Sequence, residues 1–131
     1  MHPERDLGRL LAGMRPELHP GRYVFTTVAG PAPAGLDPVV TVAEREGLTM
    51  VVRQEDADAA SLAYDYVAGW ITLRVHSALD AVGLTAAVAG ALADAGLSCN
   101  VVAGHHHDHL FVEHARADDA LGVLEALARR S

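Results

Sequence analysis

Apolar positions recur along this chain with two different periods, and their interleaving predicts an α+β protein. Leu7, Leu10, Leu11 and Met14 fall at i, i+3, i+4 and i+7, one stripe of a short helix that ends before Pro16. β-Branched and aromatic residues cluster over residues 23–28 and predict a strand. Pro31, Pro33 and Pro38 make residues 30–38 an irregular connection. Residues 39–43 and 48–53 read as two further strands, joined by a hairpin loop in which Gly47 supplies the positive-φ backbone. A helix is predicted around residues 55–63.

In the second half, Ile71, Leu73 and Val75 alternate with Thr72, Arg74 and His76. Residues 70–76 are therefore expected as a strand with one covered face and one open face. Leu84, Val88 and Leu92 recur every four residues, Ala87, Ala91 and Ala95 widen the stripe, and Gly96 closes that helix. Residues 98–103 and 109–114 read as strands joined through residues 104–108. Leu121, Leu124, Leu127 and Ala128 mark a last helix, with Asp118 and Asp119 at its start and Arg129 and Arg130 at its end, each sign complementing the helix dipole.

Strand, helix, strand, strand, helix is the order of a βαββαβ ferredoxin-like unit without its last strand, with helices on one face of an antiparallel sheet. Residues 7–28 or a second copy of the chain would supply the missing strand. The first half echoes the second weakly, as a degenerate copy in a tandem repeat would. The topology brings three stretches to one end of the sheet: the strand exit at His76 and Ser77, residues 78–83, and the turn over residues 104–109. The helix starting near Gly83 aims its free N–H groups at that end, where a carboxylate or phosphate is favoured. Ser77, Asp80 and Thr85 are capping residue types, and at least one is expected to cap this helix.

Five of the eight histidines, at 105, 106, 107, 109 and 114, lie within ten residues. In extended backbone His105, His107 and His109 share one side, with His76 on the neighbouring strand. Two readings follow. A zinc, nickel or iron site would use His76, His107, Asp108 and His109. Alternatively, one or two of these imidazoles titrate near neutrality and hydrogen-bond a ligand carboxylate, which fits the helix terminus better. Other chemistry is thin. Ser77 and the adjacent His76 point to opposite faces and make no triad, and Cys99 sits in a strand pattern as a small buried group. Trp70, Tyr64 and Tyr66 read as packing residues with room to touch a ligand.

With 131 residues the chain has room for one ordinary domain or two very small ones. Ten arginines, no lysine and 17 acidic residues give a formal charge of −7, the wrong balance for holding nucleic acid. The sequence has no signal-peptide pattern, no apolar run long enough for a membrane, and one cysteine without an intramolecular partner. These features predict a protein of the reducing cytosol.

Asp80-Ala81-Val82-Gly83-Leu84, Leu92-Ala93-Asp94-Ala95-Gly96-Leu97 and Asn100-Val101-Val102 resemble an ACT domain, a small ligand-sensing module of amino-acid metabolism. Val82 stands where that pattern usually has proline. Residues 70–112, with residues 21–26 and 46–49, are similar to short free-standing bacterial proteins built from two ACT-like halves. The resemblance implies a degenerate half over residues 1–66 and a second half over 67–131. It further implies a non-catalytic regulatory or sensor protein without cofactor, dimerising through sheet edges and binding an amino acid at the strand-to-helix loop. That site would use His76, Ser77, Asp80, Val82, Gly83, Leu84, Thr85, Asn100, Val101 and Ala103, with His107, Asp108 and His109 at its rim. The competing expectations are a metal-binding protein or metal-dependent enzyme using the 105–109 turn, and an interaction module with an empty pocket.

Overall fold

The strand that the C-terminal half lacks is supplied by the beginning of the chain. A computed structural model describes residues 3–131. In order, its elements are α1 (Leu7–Ala12), β1 (Pro16–Leu18), β2 (Tyr23–Val28), β3 (Val40–Glu44), β4 (Gly47–Arg53), α2 (Gln54–Ala59), β5 (Val67–Leu73), α3 (Leu84–Asp94), β6 (Asn100–Ala103), β7 (Asp108–Glu113) and α4 (Ala117–Arg129). Two units result, one of residues up to Pro20 with Gly69–Ser131, the other Gly21–Ala68.

In the first unit the strand order is β1-β5-β7-β6. Numbered from β5, this is the 4-1-3-2 order of a ferredoxin-like sheet whose fourth strand comes from the N-terminus. β1 runs antiparallel to β5 with Pro16 opposite Leu73 and Leu18 opposite Ile71, and β6 runs antiparallel to β7 with Asn100 opposite Phe111. The core forms where the predicted stripes meet: Leu10 and Met14 of the α1 region, Ile71 and Leu73, Leu84, Val88 and Leu92, Leu110 and Val112, and Ala120 and Leu124. Leu7, on the same helical stripe, stays exposed at 37%.

Two expectations for β5 need correction. The strand ends at Leu73 rather than residue 76, because the Arg74 N–H turns to the Met14 carbonyl at 2.7 Å. Nor is its second face open: Thr72 is only 1% exposed. The His19 ring lies flat on Trp70, with centroids 3.6 Å apart, and both His19 and His109 reach the Thr72 hydroxyl.

The second unit has the order β3-β4-β2, with the first two residues of β5 beside β2: Tyr23 pairs with Ala68 and Val24 with Val67. It shows why the first copy is degenerate. Where a helix would join its first two strands, residues 30–38 carry three prolines and form none. The β3–β4 hairpin needs Gly47, at φ +153°, because a Cβ there would stand 2.5 Å from the Val28 carbonyl oxygen. α2 stops at Ala59, short of the expected residue 63, as Ser61 enters the left-handed region at φ +55°. Val24, Met50, Val52 and Ala57 form this unit's core. The α+β, ferredoxin-like tandem arrangement is thus the observed fold.

Candidate functional site

At the end of the first unit where β5 exits, a cavity of about 130 Å³ opens, lined by Ser77, Ala78, Leu79, Ala81, Gly83, Leu84, Thr85, Ala103 and Asp108. The histidine-bearing turn and the amino end of α3 therefore do meet, through Asp108 and Gly83. A brace that sequence reasoning missed holds the loop. The Glu4 N–H donates to the His76 carbonyl at 2.8 Å, the Ala78 N–H donates to the Glu4 carbonyl at 2.9 Å, and Arg5 pairs with Asp80 at 3.1 Å. No residue type in residues 3–6 announces this; the contact becomes visible only once β1 has folded back.

Among the described residues none of the expected side chains caps this helix. Gly83 takes the N-cap position at φ +102°, where it offers no side chain, while Asp80 is drawn to Arg5 and Ser77 donates to Asp108 Oδ2 at 3.3 Å. Glycine is required there, because the conformation is left-handed and a Cβ would lie 3.1 Å from a Leu7 methyl. The main-chain N–H groups of the first turn of α3 are thereby left to a ligand or water. They carry the positive end of an 11-residue helix, so the cavity sets that pole and the Asp108 carboxylate around one small volume.

Of the predicted site residues, Ser77, Gly83, Leu84, Thr85, Ala103 and Asp108 line this cavity and seven do not. Asp80 is on the surface with Arg5, and Val82 is 83% exposed. Val101 packs against the core, while the Asn100 side-chain amide donates to the Phe111 carbonyl across its own ladder at 3.4 Å. His76, His107 and His109, expected at the rim, also lie outside the lining. The His76 ring stacks on His106 with centroids 5.5 Å apart. Burial, with the charges of Arg74, His106 and His76, pushes His107 below the ordinary imidazole pKa. Among the described residues no three His, Cys, Asp or Glu side chains are grouped to hold an ion.

His109 is instead committed to a polar network on the second face of β5. Trp70 Nε1, which can only donate, lies 3.1 Å from His109 Nδ1, so that nitrogen is the acceptor and the ring is the neutral Nε2–H tautomer. The Thr72 hydroxyl, 3.0 Å from the same nitrogen, must then donate to it. His19 Nε2, 2.7 Å from Thr72 Oγ1, in turn donates to the hydroxyl oxygen. Burial holds both imidazoles below their ordinary pKa. Cys99 is half-buried rather than buried, and desolvation pushes its thiol up to about 11.

An ACT domain family profile matches residues 2–69, and a second ACT domain profile matches residues 66–126. No curated protein matches the chain. Among solved structures, VC0802 from Vibrio cholerae, a protein of unknown function described as a possible transport protein, is similar with a TM-score of 0.85. The two are 48% identical, and the match covers 93% of this chain and 95% of that one. Atu0741 from Agrobacterium tumefaciens is similar at TM-score 0.67 and 20% identity, over 86% and 87% of the two chains. The regulatory subunit of aspartate kinase from Thermus flavus shares the fold at TM-score 0.62 and 10% identity, over 86% and 95%.

Proposed function

Because the chain belongs to the ACT-domain family, twice over and in tandem, we propose that it is a non-catalytic regulatory protein whose ligand is a free amino acid. The ligand sits in the cavity between Asp108 and the first turn of α3. One observation carries this reading: a single cavity of about 130 Å³ has a carboxylate on one wall and an uncapped helix N-terminus on another. A zwitterion answers both poles, its carboxylate taking the N–H groups of the helix and its ammonium taking Asp108, which Ser77 holds by one oxygen. Small-molecule sites commonly enclose about 300–1,000 Å³, so this volume suits the head group and a short side chain. A longer side chain would leave past Leu79, which is 69% exposed.

In this reading the ACT-like halves are residues 1–66 and 67–131, the latter bearing the site. The protein works in the cytoplasm as a homodimer joined through β6, which ends its strand order and offers an edge to a second copy. No helix among the described residues is long and apolar enough to cross a membrane. A thermal-shift panel of the twenty amino acids, followed by calorimetry, tests the proposal. A ligand at a hundredfold excess over its Kd adds about 2.7 kcal/mol of stability, a shift of several degrees. The shift should vanish in Asp108→Asn and weaken in Ser77→Ala. A panel without any responder, or a responder indifferent to Asp108→Asn, contradicts it.

A further inference from the structure

A cavity of the second unit, about 470 Å³, lies at a place where a strand pair comes apart. β2 stays paired with β4 as far as Val28 opposite Leu48, but its pairing with β5 ends at Val24 opposite Val67. Beyond that point the chain at residues 63–65 stands off. The Thr26 hydroxyl, reaching the Ala63 carbonyl at 2.9 Å, anchors it at one point. Tyr64 anchors it at another, donating to Asp58 at 2.6 Å and accepting from Gln54 at 3.1 Å. The separation is therefore built by specific bonds on both sides and does not close by simple zipping.

Ladder parity shows which groups face the gap. The Gln54 N–H donates to the Arg22 carbonyl directly opposite it, at 2.9 Å, so Arg22 and Gln54 are a hydrogen-bonded pair of the antiparallel ladder. Alternation then gives Val24, Thr26 and Val28 to β4, and turns the N–H and C=O of Thr27 away from it, toward the gap. Thr27 lies opposite Thr49, and both line the cavity together with Phe25 and Asp65. The lining thus combines the Thr27 main-chain donor and acceptor with three threonines, two aromatic residues (Phe25 and Tyr64), Ala63 and one carboxylate, and no cationic side chain.

We infer that this groove is a second binding site, for a small molecule carrying an ammonium group next to a carbonyl. Its carbonyl accepts from the Thr27 N–H, its ammonium donates to the Thr27 carbonyl and to Asp65, and its remaining atoms lie against Phe25. The bound molecule completes one rung of the ladder that residues 63–65 leave open. The volume falls in the usual range for a small-molecule site, about 300–1,000 Å³. A whole strand does not fit, because the β5 pairing closes one end of the gap and residues 63–65 form its far wall. The site shares no residue with the cavity at Asp108, so either can fail alone.

The test is an amide-resolved NMR titration of the full chain with L-alaninamide and, in parallel, N-acetyl-L-alaninamide, which lacks the ammonium. Alaninamide should move the Thr27, Thr49 and Asp65 amides in wild type and in Asp108→Asn alike. Asp65→Asn should bind it at least tenfold more weakly, with the rest of its spectrum unchanged, and the acetylated compound should leave these amides still. Movement confined to Leu84, Thr85 and Ala86 would overturn the groove while supporting the Asp108 cavity. Equal response to the acetylated compound, or wild-type affinity in Asp65→Asn, would also overturn it.

Discussion

Thr72→Val is the substitution that best isolates the polar network on β5. Valine keeps the shape of a fully buried side chain and deletes only the hydroxyl that donates to His109 at 3.0 Å and accepts from His19 at 2.7 Å. Each such bond contributes roughly 0.5–1.5 kcal/mol net. Neither imidazole is stranded by the loss, since His109 Nδ1 keeps the Trp70 N–H and the His19 side chain, 18% exposed, can donate to water. The expected destabilisation is therefore about 1–2 kcal/mol at pH 8, below the simple sum of two bonds. The pH dependence carries the mechanism. Both imidazoles are held below the ordinary value of 6.5, so the unfolded chain takes up protons first as pH falls through 6.5. Stability is full above that pH and declines below it, until the folded-state values are reached. His109 can charge only by losing its bonds from Trp70 and Thr72, so removing one of them makes charging easier. The gap between wild type and Thr72→Val should accordingly narrow below pH 6. Urea unfolding at pH 8, 6.5 and 5.5 reads this directly, with Thr72→Ser as the control that retains the hydroxyl. A Thr72→Val variant as stable as wild type at pH 8, or a gap that widens on acidification, refutes the tautomer assignment.

Three further outcomes follow from the same structure. Gly83→Ala forces a left-handed residue with a Cβ 3.1 Å from Leu7, and should lower stability by about 1–3 kcal/mol by chemical denaturation. Leu92→Ala, at a fully buried position in the α3 stripe, should cost about 2–5 kcal/mol by the same measurement. Cys99, its thiol pushed up to about 11 by burial, should react with a disulfide reagent at pH 8 far more slowly than a free thiol does, and at the free rate once the protein is unfolded.

What the sequence revealed and what it hid have a common physical cause. The α3 stripe and the Ile71 and Leu73 alternation are local periodic patterns with one partner surface, and they landed where the core is. β1 hid because three residues beginning with proline carry no period; they form a strand only because Leu73 and Ile71 wait opposite them. Asp80 looked like a cap by its residue type, yet Arg5, seventy-five positions away, holds it on the surface. Thr72 looked solvent-facing because strand periodicity says which face a residue takes but not what covers that face. The histidine run, the most conspicuous motif, does not act as one group: Trp70 and Thr72 draw His109 to one side while the turn leaves His105 and His106 exposed. Asp108, the least conspicuous member of that run, is the one that reaches the cavity.

In the proposed reading the two poles of the small cavity together hold an amino acid. A crystal structure of the protein soaked with L-alanine or L-serine at saturating concentration tests it in one measurement. The ligand carboxylate is expected on the Leu84 and Thr85 N–H groups and its ammonium on Asp108. A ligand bound elsewhere on the chain, or one whose carboxylate turns away from α3, would contradict it.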